Sequence, residues 1–140
     1  MGRRSQQMIF LDTNVIIRFI LADDPQNSPK ARNIINKIAR GETKVFLPAV
    51  IIAETVYVLL KVYKLKREKI REKLLPLMRL PGITTENKNI YSWVFDIFQN
   101  KSVDFEDAYQ VALMKKKKVK EIYSFDRDFD KFSQIKRLES

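Results

Sequence analysis

Short apolar runs alternate with longer amphipathic stretches along the chain. Residues 8–11, MIFL, form an apolar run ended by Asp12, the pattern of a strand buried on both faces. NVIIRFILAD follows with helical spacing. Asp24-Pro25 and Ser28-Pro29 mark a loop. Ser28 is placed to cap a helix that begins at Pro29 and runs to about Arg40, where Gly41 stops it. VFLP (45–48) predicts a second strand. Residues 49–63, AVIIAETVYVLLKVY, are apolar almost all round and predict a central helix. A basic helix is expected from about Lys66 to Arg79, then a short strand at 83–85. Next comes a helix from Glu86 to Gln99 with Ile90, Trp93, Val94, Ile97 and Phe98 on its core stripe. Asp104 opens a helix that ends in Lys115–Lys118. EIYSF (121–125) predicts a fourth strand, DRDFDKF a short helix, and QIKRLE an edge strand. The alternation predicts an α/β fold, with a mostly parallel sheet of four to five short strands sandwiched between helices. There is no repeat or linker, so residues 8–140 read as one domain behind a flexible basic extension, residues 1–7.

Composition narrows the chemistry. The 140 residues contain no Cys and no His, which removes thiolate nucleophiles, imidazole bases and every site that needs those ligands. Three scattered glycines exclude a dinucleotide loop or a Walker A loop. Lys and Arg number 27 against 17 Asp and Glu, a formal charge of +10 that points to a polyanionic partner. No apolar run reaches the roughly 20 residues of a membrane span. No targeting segment is evident either, so the expected compartment is the cytoplasm.

Four segments carry acids at telling positions. Asp12 follows the first strand and Asp126 follows EIYSF, and ligands of parallel sheets gather at the carboxyl ends of strands. Asp104 and Asp107 share a face at a helix start. Glu54 lies in apolar sequence, where an ionised carboxylate is costly without a partner. Each also has a purely structural reading. Asp12 and Asp126 can cap helices, Asp104 with Asp107 can form a capping box, and Glu54 can sit in a buried ion pair. Together, in a basic chain without His or Cys, they suit a hard divalent cation. Oxygen ligands favour Mg²⁺ or Mn²⁺, and such ions activate water and stabilise a leaving oxyanion in phosphodiester hydrolysis.

IFLDTN (9–14), the Glu54 helix, VDFEDAYQVAL (103–113) and YSFDRDF (123–129) together resemble a PIN domain, and within that family the small ribonucleases of the VapC toxin type. The resemblance spans the chain from about Met8. It implies a three-layer α/β/α sandwich and a Mg²⁺- or Mn²⁺-dependent endoribonuclease, the toxin of a type II toxin–antitoxin pair. It carries the metal-binding and catalytic roles onto Asp12, Glu54, Asp107 and Asp126. Asp104 and Asp128 become additional acids, and Thr13, Asn14 and Ser124 supporting residues. RNA is then the substrate, an antitoxin protein the partner and a homodimer the expected assembly.

The basic segments extend the reading. Lys66 and Arg67 in the basic helix and Lys115, Lys116, Lys117 and Lys118 are candidate RNA contacts, or else solvated helix faces. Tyr57, Tyr63, Tyr91 and Trp93 fit core or dimer packing better than base stacking. Rival readings are a catalytically idle RNA- or protein-binding module, a housekeeping nuclease and a glycosidase. The acids weigh against the first and the charge against the last.

Overall fold

The computed structural model describes residues 8–140, so the expected flexible extension, residues 1–7, lies outside the described residues. The chain folds as two units, one ending at Lys88 and one running from Asn89 to Ser140. Six α-helices account for most of the described residues, and every strand pairing among them is parallel.

The first unit holds α1 (Thr13–Leu21), α2 (Asn27–Ala39), β1 (Val45–Phe46), α3 (Ala49–Tyr57), α4 (Arg67–Met78) and β2 (Ile83–Thr84). β1 pairs with β2, and Phe10 forms a single bridge to Phe46. The run at 8–11 is therefore a minimal strand rather than one buried on both faces. Leu11 is buried, but Met8, Ile9 and Phe10 are exposed, with the Phe10 ring 5.6 Å from that of Phe46. α2 starts two residues before the expected Pro29, because Asp24 rather than Ser28 caps it. The Asp24 carboxylate accepts from the Gln26 and Asn27 backbone N–H groups at 2.9 Å, while Ser28 Oγ donates to the Arg18 carbonyl. α3 continues into one wide turn, Val58–Val62. The expected central helix is buried on one side only: Ile52, Thr55, Val56 and Leu59 face the core, while Val50, Glu54, Tyr57 and Val62 are exposed.

Gly82 is the tightest point of this unit. Its N–H donates to the Ile38 carbonyl and its own carbonyl accepts from Val45. A Cβ there would overlap the Thr43 carbonyl and crowd Ile38.

The second unit holds α5 (Tyr91–Lys101), α6 (Phe105–Lys117), β3 (Glu121–Tyr123) and β4 (Lys136–Leu138), with a 3₁₀ turn at Arg127–Lys131. β3 and β4 pair in parallel with Glu121 opposite Lys136, so the expected edge strand forms. A cluster of Tyr91, Phe95, Phe98 and Phe105 packs α5 against α6 at ring separations of 5.4–6.4 Å. Trp93, expected in that core, stands at the surface with Lys115 Nζ 4.4 Å from its ring centre. Tyr91 is buried as core packing requires, whereas Tyr57 is exposed. The described strands form two short pairs and one bridge; they do not make a continuous four- or five-stranded sheet. No helix among the described residues is long and apolar enough to cross a membrane.

Candidate metal centre

In the first unit the chain leaves its Phe10 bridge and turns into α1 at Asp12. Asp12 occupies the N-cap position, yet its side chain makes no capping hydrogen bond and is exposed. Thr13 beside it is buried and donates to Glu54 Oε1 at 2.9 Å. Thr55 lies beneath, its Oγ1 3.4 Å from that of Thr13 and donating to the Ile51 carbonyl at 2.8 Å. The exposed face of α3 thus carries Glu54 with one charge-assisted hydrogen bond and no ion-pair partner among the described residues. A buried ion pair is not what holds Glu54. Asn14 is exposed and makes no side-chain hydrogen bond among the described residues.

In the second unit the acids crowd together. Asp107 in the first turn of α6 meets Asp126 and Asp128, which flank the start of the 3₁₀ turn. One carboxylate oxygen from each lies within 4.8 Å of the others. Asp126 Oδ1 accepts the Asp128 N–H at 2.9 Å, and the Asp126 N–H donates to Ser124 Oγ at 3.0 Å. Asp126 therefore does cap the short helix, as its structural reading requires. The Asp107 carboxyl is pushed up to about 6, first by partial burial and then by the charge and hydrogen bond of Asp126, with Asp104 and Asp128 adding to it. Asp104 sits at the α6 N-cap without a side-chain cap bond, so the capping box does not form. It stands outside the group of three but near enough to raise Asp107.

Two cations sort the Asp126, Asp128, Asp130 series. Lys131 pairs with Asp128 at 3.2 Å. Arg137 grips Asp130 through two nitrogens at 3.0 and 3.3 Å, and also holds Glu139 and the Ser124 carbonyl. Asp130 is drawn below the usual carboxylate range by that hydrogen bond and leaves the cluster. Sequence reasoning missed Arg137. Nothing in the QIKRLE segment, where Arg137 directly follows Lys136, singles it out.

Three carboxylates this close, with one lysine between them, have an electrostatic deficit that a hard cation removes, and their all-oxygen donor set is the one Mg²⁺ or Mn²⁺ takes. Of the sequence-expected acids, the structure brings Asp107 to Asp126 and Asp128 in one unit, and pairs Thr13 with Glu54 beside Asp12 in the other. The candidate RNA contacts divide as well. Lys66 is exposed at the start of α4, where the Lys69–Glu72 pair partly neutralises the run, and Lys115–Lys118 close α6.

A family model for the PIN domain matches residues 9–135. The chain is also similar to a protein named VapC ribonuclease from Aquifex aeolicus (strain VF5). The two are 27% identical over 124 residues, which cover 89% of this chain and 91% of that relative.

Proposed function

From the premise that the chain belongs to the PIN domain family, we propose that it is a Mg²⁺- or Mn²⁺-dependent endoribonuclease. The observation that carries this is the convergence of Asp107, Asp126 and Asp128 oxygens within 4.8 Å, in a basic chain that has no His or Cys to do other chemistry. The relative's name supports RNA as the substrate. We further propose, from the resemblance to the VapC toxin type, that the protein is the toxin of a type II toxin–antitoxin pair, acting in the cytoplasm as a homodimer restrained by an antitoxin protein.

Asp107 and Asp126 are assigned as principal ligands with Asp128 beside them, and Asp12 and Glu54 of the first unit keep the ligand roles that the family resemblance gives them. When bound, the ion lowers the pKa of water and offsets charge on the phosphodiester in the transition state. The residues do the rest. Asp107, whose carboxyl is pushed up to about 6, would have to lose its proton to hold a cation, so ion binding near pH 6 would release protons. Ser124 fixes the Asp126 backbone, and Lys131 orients Asp128. Thr13 holds Glu54 in one rotamer from beneath.

The test is cleavage of a single-stranded RNA with and without EDTA, followed by Mn²⁺ add-back, for wild type and Asp126→Asn. Cleavage that EDTA abolishes, Mn²⁺ restores and the variant lacks supports the assignment. Undiminished cleavage by metal-free protein overturns it. Growth arrest on induction, relieved by Asp126→Asn, tests the toxin reading separately.

A further inference from the structure

Charge in the second unit is segregated. Residues 89–140 contain ten Lys and Arg against nine Asp and Glu, nearly neutral in sum. Yet the acids of the metal centre lie at the first turn of α6 and after the carboxyl end of β3, while Lys115–Lys118 and Lys120 lie at the other end of both elements, with Glu121 as the one acid there. α6 ends in a reversal at Lys118, which takes the left-handed conformation, φ 60°, with Lys118 N–H donating to the Lys115 carbonyl and Val119 N–H to that of Met114. The reversal feeds Lys120 into the amino end of β3. There the Lys136 N–H donates to the Lys120 carbonyl at 2.8 Å, so the two lysines stand one register position apart on neighbouring strands, with Glu121 opposite Lys136.

A groove of about 700 Å³ opens at this end, with Lys115, Lys118 and Lys120 around an apolar floor that includes Val111 and Ile135; a second groove, which shares Lys118, Lys120 and Ile135 with it, adds Lys136 and one carboxylate, Glu121. Among the described residues none of these four lysines is paired with a carboxylate. Lys115 rests on the Trp93 ring, and the other three are exposed. Unpaired cations from three separate segments around a half-apolar groove suit a flexible polyanion whose sugars and bases can lie on the floor.

We propose that this groove is a second contact site for single-stranded RNA, binding backbone phosphates away from the metal centre and thereby favouring long substrates over short ones. Only the choice of RNA rests on the ribonuclease reading. Asp107 and Lys115 are eight residues apart on α6, about 12 Å along the helix axis. A strand held at both ends must cover that span, and a dinucleotide cannot.

The test is a Lys118→Gln/Lys120→Gln/Lys136→Gln variant. Its affinity for a labelled oligouridine of about 20 nucleotides is measured by anisotropy in EDTA across a salt series. Loss of three phosphate contacts should lower the log–log salt slope by about 2 and weaken binding about tenfold or more at low salt. Lys→Arg at the same positions should retain the slope. A control of equal charge change elsewhere, Lys30→Gln/Lys37→Gln/Lys44→Gln, should leave it near wild type. A groove variant with the wild-type or control slope overturns the proposal, whether the groove then faces only solvent or receives an acidic protein segment. Binding is read without metal, so failure of the nuclease assay leaves this result standing. A chain that cleaves RNA with an unchanged slope sinks the groove alone.

Discussion

The two units hold their acids in opposite ways. In the first, Glu54 is exposed and held by one hydroxyl, and Asp12 beside Thr13 makes no capping bond. In the second, three carboxylates are pressed together, and Asp107 is pushed up to about 6. Crowding of like charge stores unfavourable energy that a cation or a proton releases, while an isolated surface carboxylate stores almost none. The apo protein should therefore respond to metal and to pH mainly through the second unit.

The sharpest break of this contrast is Asp126→Asn. It keeps an acceptor for the Asp128 N–H but removes a charge from the cluster. Cleavage should fall on the order of a hundredfold or more, while the melting temperature in EDTA stays equal or rises. Loss of stability in EDTA would show that the three acids are not in conflict.

A pH series comes next in size. Asp107 binds its proton more tightly folded than unfolded, so in EDTA the fold should lose stability as pH rises from about 4 through about 6. The loss attributable to this group is about 1–2 kcal/mol after solvent screening. Melts of wild type against Asp107→Asn read it as a difference that grows across that window and then levels. Saturating Mn²⁺ at pH 7 should raise the wild-type melt and leave the variant nearly unmoved.

Thr13→Val preserves shape and removes the donor to Glu54. It should cost about 1 kcal/mol in chemical denaturation and loosen Mn²⁺ binding only if Glu54 is a ligand. The smallest effect is expected from Glu54→Gln in EDTA, within about 0.5 kcal/mol of wild type, because Glu54 is exposed and unpaired. The same variant assayed with Mn²⁺ should lose cleavage. Retained cleavage would confine the metal centre to the acids of the second unit.

Legibility in the sequence followed how local each cause was. α6 and the shared face of Asp104 and Asp107 could be read because an amphipathic repeat and an acidic start act within one helix. The strands could be located but not measured, since two-residue ladders depend on which neighbour the chain meets. Asp24 and Ser28 are both good caps four residues apart, and the Arg18 carbonyl, ten residues from Ser28, decided between them. Glu54 read as buried because its neighbours are apolar, although α3 turns one of its faces outward. The Asp126, Asp128, Asp130 series is identical in residue type. Only Arg137, distant in sequence from Asp126, separates the acid that leaves the cluster from the two that stay.

Gly82 bears on how far the first unit can be altered by selection. The close approach of its backbone to Thr43 and Ile38 leaves no room for even a methyl group, and the two nearest obstructing atoms are backbone carbonyls that cannot swing aside. A random library at this codon, sorted for soluble folded protein, should return glycine alone. A library at Gly41, where the nearest atom to an added methyl is 4.0 Å away and φ is +74°, should also return asparagine and aspartate. Two glycines that follow helix ends in the same unit would thus show different tolerance, one limited by volume and the other only by handedness.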